Sequence, residues 1–168
     1  MVPAAGMLMN RMIGCLAWIL ILLSPAMAGD PIVGTWRLQS FVREVTATGQ
    51  QYNEFGEHPD GYISYLPDGR MHAILVTNTR PKPAGPVPTE KEKIELFGTI
   101  IAYAGRYSVE GDKVIHDVDI SWNQSWTGTR QVRFFRLEGT KLTITTAVAK
   151  SPRDGLEGRT IVIFEKAQ

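Results

Sequence analysis

The 168-residue chain contains one cysteine, Cys15. A single thiol excludes a disulfide framework and a cysteine-based zinc site. No sign of charge dominates: 18 Lys+Arg stand against 17 Asp+Glu, a formal net charge of +1. Without a basic excess there is little to neutralise a phosphate backbone, which argues against nucleic acid as a partner. The three histidines, His58, His72 and His116, fall into no HxH or HExxH spacing, so no metal site is expected. No Gly-rich phosphate loop and no Ser–His–Asp order stands out, and no cofactor is expected. Disorder, a collagen-like repeat and a coiled coil are excluded by composition, with 43% hydrophobic and 21% charged residues.

Long apolar runs are scarce too, and the one present is at the N-terminus. Arg11 precedes an apolar run over residues 12–23 that holds Cys15. Ser24 and Pro25 break the run, and Ala26-Met27-Ala28 follows as a small-x-small cleavage signal. This is the plan of a secretory signal peptide. About a dozen apolar residues are too few for an uncleaved span, which needs ~20. The expectation is a signal peptide over residues 1–28 and one exported domain over residues 29–168, periplasmic or secreted. Arg11 and Cys15 leave with the signal, so the mature domain is neutral, lacks cysteine and relies on its core.

The remaining pattern is all-β with one helix. A first strand is expected over residues 32–44, with Trp36, Leu38, Ser40 and Val42 sharing a face by period-two alternation. Residues 62–66 and 70–77 read as a hairpin turned by Pro67-Asp68-Gly69, where Pro presets φ, Asp bonds the local backbone and Gly accepts φ > 0. The segment 78–88 holds four prolines and reads as a loop. Thr89 and Glu92 form a capping box for a helix over residues 89–103, with Ile94, Phe97 and Ile101 on one apolar face. Strands follow over residues 106–110, 113–121, 130–137, 141–148 and 159–166, turned by Gly111-Asp112 and Glu138-Gly139-Thr140. Eight to nine strands in consecutive hairpins close into an antiparallel up-and-down β-barrel with one inserted α-helix. That helix packs on the outer wall or caps an open end. The long Pro-rich lead-in favours the cap, with Ile94, Phe97 and Ile101 over the cavity as a lid.

Several stretches resemble a known family. Gly34-Thr35-Trp36 looks like the Gly-x-Trp signature of lipocalins. The stretches 105–116 and 123–133, with Phe55-Gly56-Glu57-x-Pro59-x-Gly61 and Tyr65-x-Pro67-Asp68-Gly69, resemble the bacterial and fungal lipocalin-like domain family over residues 31–165. The resemblance implies an antiparallel barrel around a small-molecule cavity. It also implies that Trp36 plugs the closed end beneath an arginine near the final strand, a place Arg159 holds in sequence.

Candidate site residues follow from alternation. His116 shares an expected face with Val114, Val118 and Ile120, which points it into the barrel. There it is either a hydrogen-bonded core histidine or a group that orients a ligand or moves a proton. Asp117 lies on the opposite face and is no simple partner for it. Gln131 and Arg133 share a face with Phe135 and Leu137. Arg133 either enters the cavity to clamp an acidic ligand or faces solvent, with Val132 and Phe134 inside. Trp122, Asn123 and Trp126 suit the rim of a cavity or a plug at the barrel end. Tyr107, with Tyr62, Tyr65 and Tyr103, adds phenols. The leading functional expectation is a barrel that binds a small, largely apolar ligand with a polar or acidic group. The alternatives are a cavity enzyme of isomerase or cyclase type using His116 for proton transfer, and an envelope interaction protein with a filled barrel. No feature bears on oligomeric state.

Overall fold

The computed structural model describes Met1, residues 30–152 and residues 154–168. The expected cleavage site lies outside the described residues.

Ten strands are formed: β1 (Gly34–Val45), β2 (Gln51–Asn53), β3 (Asp60–Tyr65), β4 (Arg70–Val76), β5 (Ile100–Glu110), β6 (Lys113–Ser121), β7 (Arg130–Glu138), β8 (Lys141–Thr146), β9 (Ala149–Lys150) and β10 (Glu157–Lys166). Neighbouring strands pair antiparallel in the order β1-β3-β4-β5-β6-β7-β8-β10, and β10 pairs back onto β1, closing an eight-stranded barrel. Closure leaves no long edge unpaired. The short strands β2 and β9, unexpected from the sequence, extend β1 and β10.

Turn chemistry builds the hairpins as expected. At Pro67-Asp68-Gly69 the Gly69 amide donates to the Leu66 carbonyl at 3.1 Å, and Asp68 Oδ1 accepts from the Arg70 amide at 3.0 Å. Inward alternation is cleanest on β4, where Met71, Ala73 and Leu75 are buried while His72 and Ile74 are exposed. The core runs through Trp36, Leu38, Tyr65, Val114, Leu142 and Phe164, with lesser contributions around them. Burial of each large side chain contributes roughly 1.5–3 kcal/mol.

Two bulges overturn two expected faces. Register shifts between Leu38 and Ser40 on β1, so Phe41 turns inward in place of the Ser40–Val42 face. On β6 the pairing slips between Ala104 and Gly105, and the residue passed over is Asp119. Val114, His116 and Val118 stay inside, but Ile120 emerges 67% exposed. One extra residue in a strand reverses the side of everything beyond it. Gly105 sits at that slip because a Cβ there would lie 2.0 Å from the Asp117 carbonyl oxygen.

The helix α1 (Glu90–Gly98) begins as expected. Thr89 Oγ1 accepts from the Glu92 amide and the Glu92 carboxylate accepts from the Thr89 amide. It ends earlier than expected. Residues 100–103, read as its last turn, start β5, with Ile100 opposite Val76 and Tyr103 opposite Ala73. Gly98 and β-branched Thr99, Ile100 and Ile101 favour that switch. Arg80 Nη1 caps the helix end by donating to the Leu96 carbonyl at 3.0 Å.

Candidate functional site

The register separates two ends of the barrel. One end carries the tight hairpins 66–69, 111–112 and 139–140 together with both chain ends of the barrel. Trp36 fills it: its indole Nε1 donates to the Ile32 carbonyl at 2.7 Å. The cation over the ring is Lys166, with Nζ 4.5 Å from the centroid and donating to the Val33 carbonyl at 2.7 Å. This corrects the expectation for Arg159. Trp36 is opposite Lys166, whereas Arg159 is opposite Glu44 and forms an exposed ion pair with it at 2.8 Å. Gly34 leaves room for the lysine, since a Cβ there would lie 2.6 Å from Lys166 Nζ.

The other end, where the longer connections gather, holds a partly open cavity of about 230 Å³. Its wall is mostly apolar, from Phe41, Ile63, Leu75, Ile144, Val162 and Phe164. Ile101 and Trp126 also line it, and its polar groups are Tyr103, His116, Arg133, Thr146 and Thr160. Thr146 and Thr160 are shared with a polar surface depression bounded by Arg43, Lys150 and Arg159, so the cavity and that depression adjoin.

His116 is 1% exposed and both ring nitrogens are engaged. Tyr65 Oη lies 2.9 Å from Nε2, and Tyr103 Oη lies 3.0 Å from Nδ1. Burial, reinforced by the nearby Arg133 charge, pushes the imidazole pKa down to about 3. The ring is therefore neutral at ordinary pH. Burial pushes the Tyr103 phenol up to about 12 and also holds the Tyr65 phenol well above its ordinary value. Both phenols keep their protons.

Arg133 enters the barrel. Val132 and Phe134 are exposed on the outer face, which settles the open choice of face on β7. Arg133 Nη2 donates to Gln131 Oε1, Nη1 donates to the Val132 carbonyl at 3.1 Å, and Gln131 Nε2 donates to Thr129 Oγ1 at 3.3 Å. Gln131 thus holds the guanidinium from one side and is not part of the cavity wall. Among the described residues, no Asp or Glu carboxylate forms an ion pair with Arg133.

The other candidates are placed differently. Tyr107 is buried below the cavity, edge-on to Tyr65 at 4.9 Å, with its hydroxyl donating to the Leu66 carbonyl at 3.1 Å. Asn123 is a cap: its Oδ1 accepts from the amide and hydroxyl of Ser125 at the start of a 3-10 turn, Gln124–Trp126. Neither lines the cavity. Ile94 is 73% and Phe97 52% exposed, so the expected lid face does not cover the cavity, and only Ile101, now on β5, reaches it. Phe97 instead meets Trp122 at 6.3 Å, Trp122 meets Trp126 at 4.8 Å, and Trp126 meets Tyr103 at 5.7 Å. The aromatic chain links α1 to the cavity indirectly. His58 and His72 are exposed and form no metal-binding cluster with His116 among the described residues. Among the described residues no cluster of His, Cys, Asp and Glu could hold a metal ion, and no helix is long and apolar enough to cross a membrane.

Thr146, Thr160 and the pairing of both tyrosines with His116 escaped the sequence reading. Tyr103 gave a signal: Ile100-Ile101-Ala102-Tyr103 is rich in β-formers, and Tyr103 lies an even number of residues before Tyr107 on one strand face.

A closed antiparallel barrel with one plugged end and a cavity at the other is the architecture of a lipocalin-type protein. The sequence matches the family model described as lipocalin-like domain over residues 33–167, and the chain belongs to that family. Among solved structures, a lipocalin-like protein from Bacteroides uniformis is 14% identical, with 81% of this chain and 98% of that chain covered at a TM-score of 0.43. An uncharacterized protein from Bacteroides eggerthii is 13% identical, with 81% and 99% covered at a TM-score of 0.40. No functionally curated protein matches the sequence.

Proposed function

We propose that this chain is an exported binding protein that takes up one small molecule, apolar in body with a polar or acidic group, at the open end of its barrel. The observation that carries this reading is the cavity of about 230 Å³, whose apolar wall is interrupted by Tyr103, Arg133 and two threonines. Small-molecule sites combine a mostly apolar surface with a few convergent polar groups in this way. The cavity also argues against a barrel filled by its own side chains. Catalysis by His116 has less support, because both of its nitrogens already face tyrosines and its pKa of about 3 suits neither a general acid nor a base near neutrality.

Binding is tested by thermal shift and by quenching of Trp126 fluorescence with a panel of small acids, alcohols and fatty acids. A saturable rise in melting temperature supports the reading, since a ligand selective for the native state stabilises by RT ln(1 + [L]/Kd). A folded sample that responds to none of them overturns it. Export rests on Arg11, the apolar run and Ala26-Met27-Ala28. N-terminal sequencing of protein recovered from the native cell envelope or medium should begin at Gly29, and an intact Met1 refutes export through cleavage.

A further inference from the structure

The tyrosine–histidine–tyrosine chain has a direction. A neutral imidazole donates through one nitrogen and accepts through the other. Tyr65 is 0% exposed, and His116 Nε2 is the hydrogen-bond partner its hydroxyl finds among the described residues. Were Nε2 protonated, it would donate to Tyr65 Oη, and the Tyr65 hydroxyl hydrogen would point into the core without an acceptor. Stranding a buried donor is costly. Tyr65 therefore donates to Nε2, the proton resides on Nδ1, and Nδ1–H donates to Tyr103 Oη. The Tyr103 oxygen is thereby satisfied as an acceptor while its own hydrogen is left free. Tyr103 lines the cavity, so that hydrogen has the cavity available to it.

The second observation is independent. The Arg133 guanidinium lines the same cavity, half-buried against an apolar wall, and has no carboxylate partner among the described residues. Its two hydrogen-bond acceptors, the Gln131 side-chain oxygen and the Val132 carbonyl, are neutral. A cation withdrawn from water without a counter-charge is unfavourable, and a bound anion relieves it. Size limits the anion. The enclosed part of the cavity is about 230 Å³. It lies below the ~300–1,000 Å³ of sites for drug-sized ligands.

We infer that Tyr103 and Arg133 form a two-donor clamp for the carboxylate of a compact monocarboxylic acid, a single ring or short branched chain, with the Tyr103 proton released toward the cavity by the Tyr65–His116 pair. This inference rests on the binding reading above and deepens it by naming the ligand class. Long-chain acids are disfavoured by volume, and neutral isosteres by the unpaired guanidinium.

The test has two arms on the purified protein. Nitrogen-15 NMR of the His116 ring reports its tautomer: Nδ1–H is expected, and Nε2–H overturns the direction of the chain. Calorimetric or NMR titrations then compare benzoate, phenylacetate, cyclohexanecarboxylate and 3-methylbutanoate, each with its primary amide, and decanoate. At least one compact acid is expected to bind ten-fold or more tightly than its amide and more tightly than decanoate. Arg133→Met should cut that affinity at least ten-fold and weaken the amide far less. Arg133→Lys, which keeps the charge, should preserve most of the acid preference, and Tyr103→Phe should weaken the acid more than the amide. Amides binding as well as acids, or decanoate binding best, overturns the clamp while leaving small-molecule binding intact. A folded protein that binds no probe overturns both.

Discussion

Acid should destabilise this protein through His116, and the size of the effect can be worked out. In the folded barrel the imidazole is buried between two tyrosines and its pKa is pushed down to about 3, against an ordinary value of 6.5. In the unfolded chain it regains the ordinary value. As pH falls below 6.5 the unfolded state takes up a proton that the native state refuses, so stability falls. The contribution is fully present above 6.5, is lost progressively down to about 3, and changes no further below that. Each unit is worth ~1.4 kcal/mol once the unfolded group is mostly protonated, which gives about 2 kcal/mol between pH 6.5 and 4.5. For a domain stable by ~5–15 kcal/mol, that is readily measured.

The perturbation is His116→Gln, which is neutral at every pH and keeps a donor and an acceptor for the tyrosines. Urea unfolding of both proteins at half-unit steps from pH 4.5 to 7.5 gives two stability curves. The variant should be less stable near neutrality, and the gap should narrow by about 2 kcal/mol at pH 4.5. Carboxylates and the other two histidines contribute to both curves and cancel in the difference. The His116 ring signal of the wild type should stay unprotonated down to pH 4.5. Parallel curves within ~0.5 kcal/mol, or a ring that titrates above pH 5, would refute the account of a desolvated neutral imidazole.

Three further outcomes are expected. Lys166→Met should lower stability by about 1–2 kcal/mol, through the lost contact over Trp36 and the lost bond to the Val33 carbonyl, while Arg159→Ala should leave the denaturation midpoint nearly unmoved; the reverse order would restore Arg159 as the plug cation. Gly105→Ala should cost about 3 kcal/mol or more, because the new methyl group meets backbone at Asp117 rather than a movable side chain; a near-neutral midpoint in the same urea assay would show that the bulge can relax. Phe97→Ala should cost under about 1 kcal/mol, since the ring is half-exposed, yet speed release of a bound acid in stopped-flow by freeing Trp122 and Trp126; unchanged release would remove α1 from the control of access.

What was legible in the sequence was local chemistry. Pro67-Asp68-Gly69, Gly111-Asp112 and Glu138-Gly139-Thr140 carry their turns in their own residues, and Thr89 with Glu92 writes the start of α1 three residues apart. Consecutive hairpins of such strands leave few topologies besides a closed meander. The inward direction of His116 followed from alternation because it lies before the slip at Asp119; Ile120 lies after it and came out reversed. Nothing in a single strand marks the bulge, which depends on how the neighbouring strand pairs. The same limit hid the plug cation. Only register decides that Trp36 faces Lys166 and Glu44 faces Arg159. It also hid the central feature of the site, since Tyr65 and His116 meet across 51 positions of chain.

The two ends of the barrel divide stability from function in a way that makes the cavity informative. At ~24 cal/mol per Å³, a dry closed void of about 230 Å³ would cost about 5.5 kcal/mol, comparable with the whole stability of a small domain. Solvent at the open side lowers that cost without removing it, because the wall is mostly apolar. Filling the space would be simple: larger side chains at Ile63, Leu75, Ile144 or Val162 would close it, as Trp36 closes the other end. A second cost falls at the same place, an arginine turned inward on β7 where every neighbour on its face could be apolar. Two departures from the most stable packing, converging on one volume, are expected where a site is kept open for something else to complete. A compact acid would relieve both together, its ring taking up apolar wall and its carboxylate meeting Arg133. The free barrel should then be measurably looser at its open end than at its plugged end. Amide hydrogen exchange should be slowest on β1 near Trp36 and fastest around Tyr103, and the bound acid should slow the second set while leaving the first unchanged.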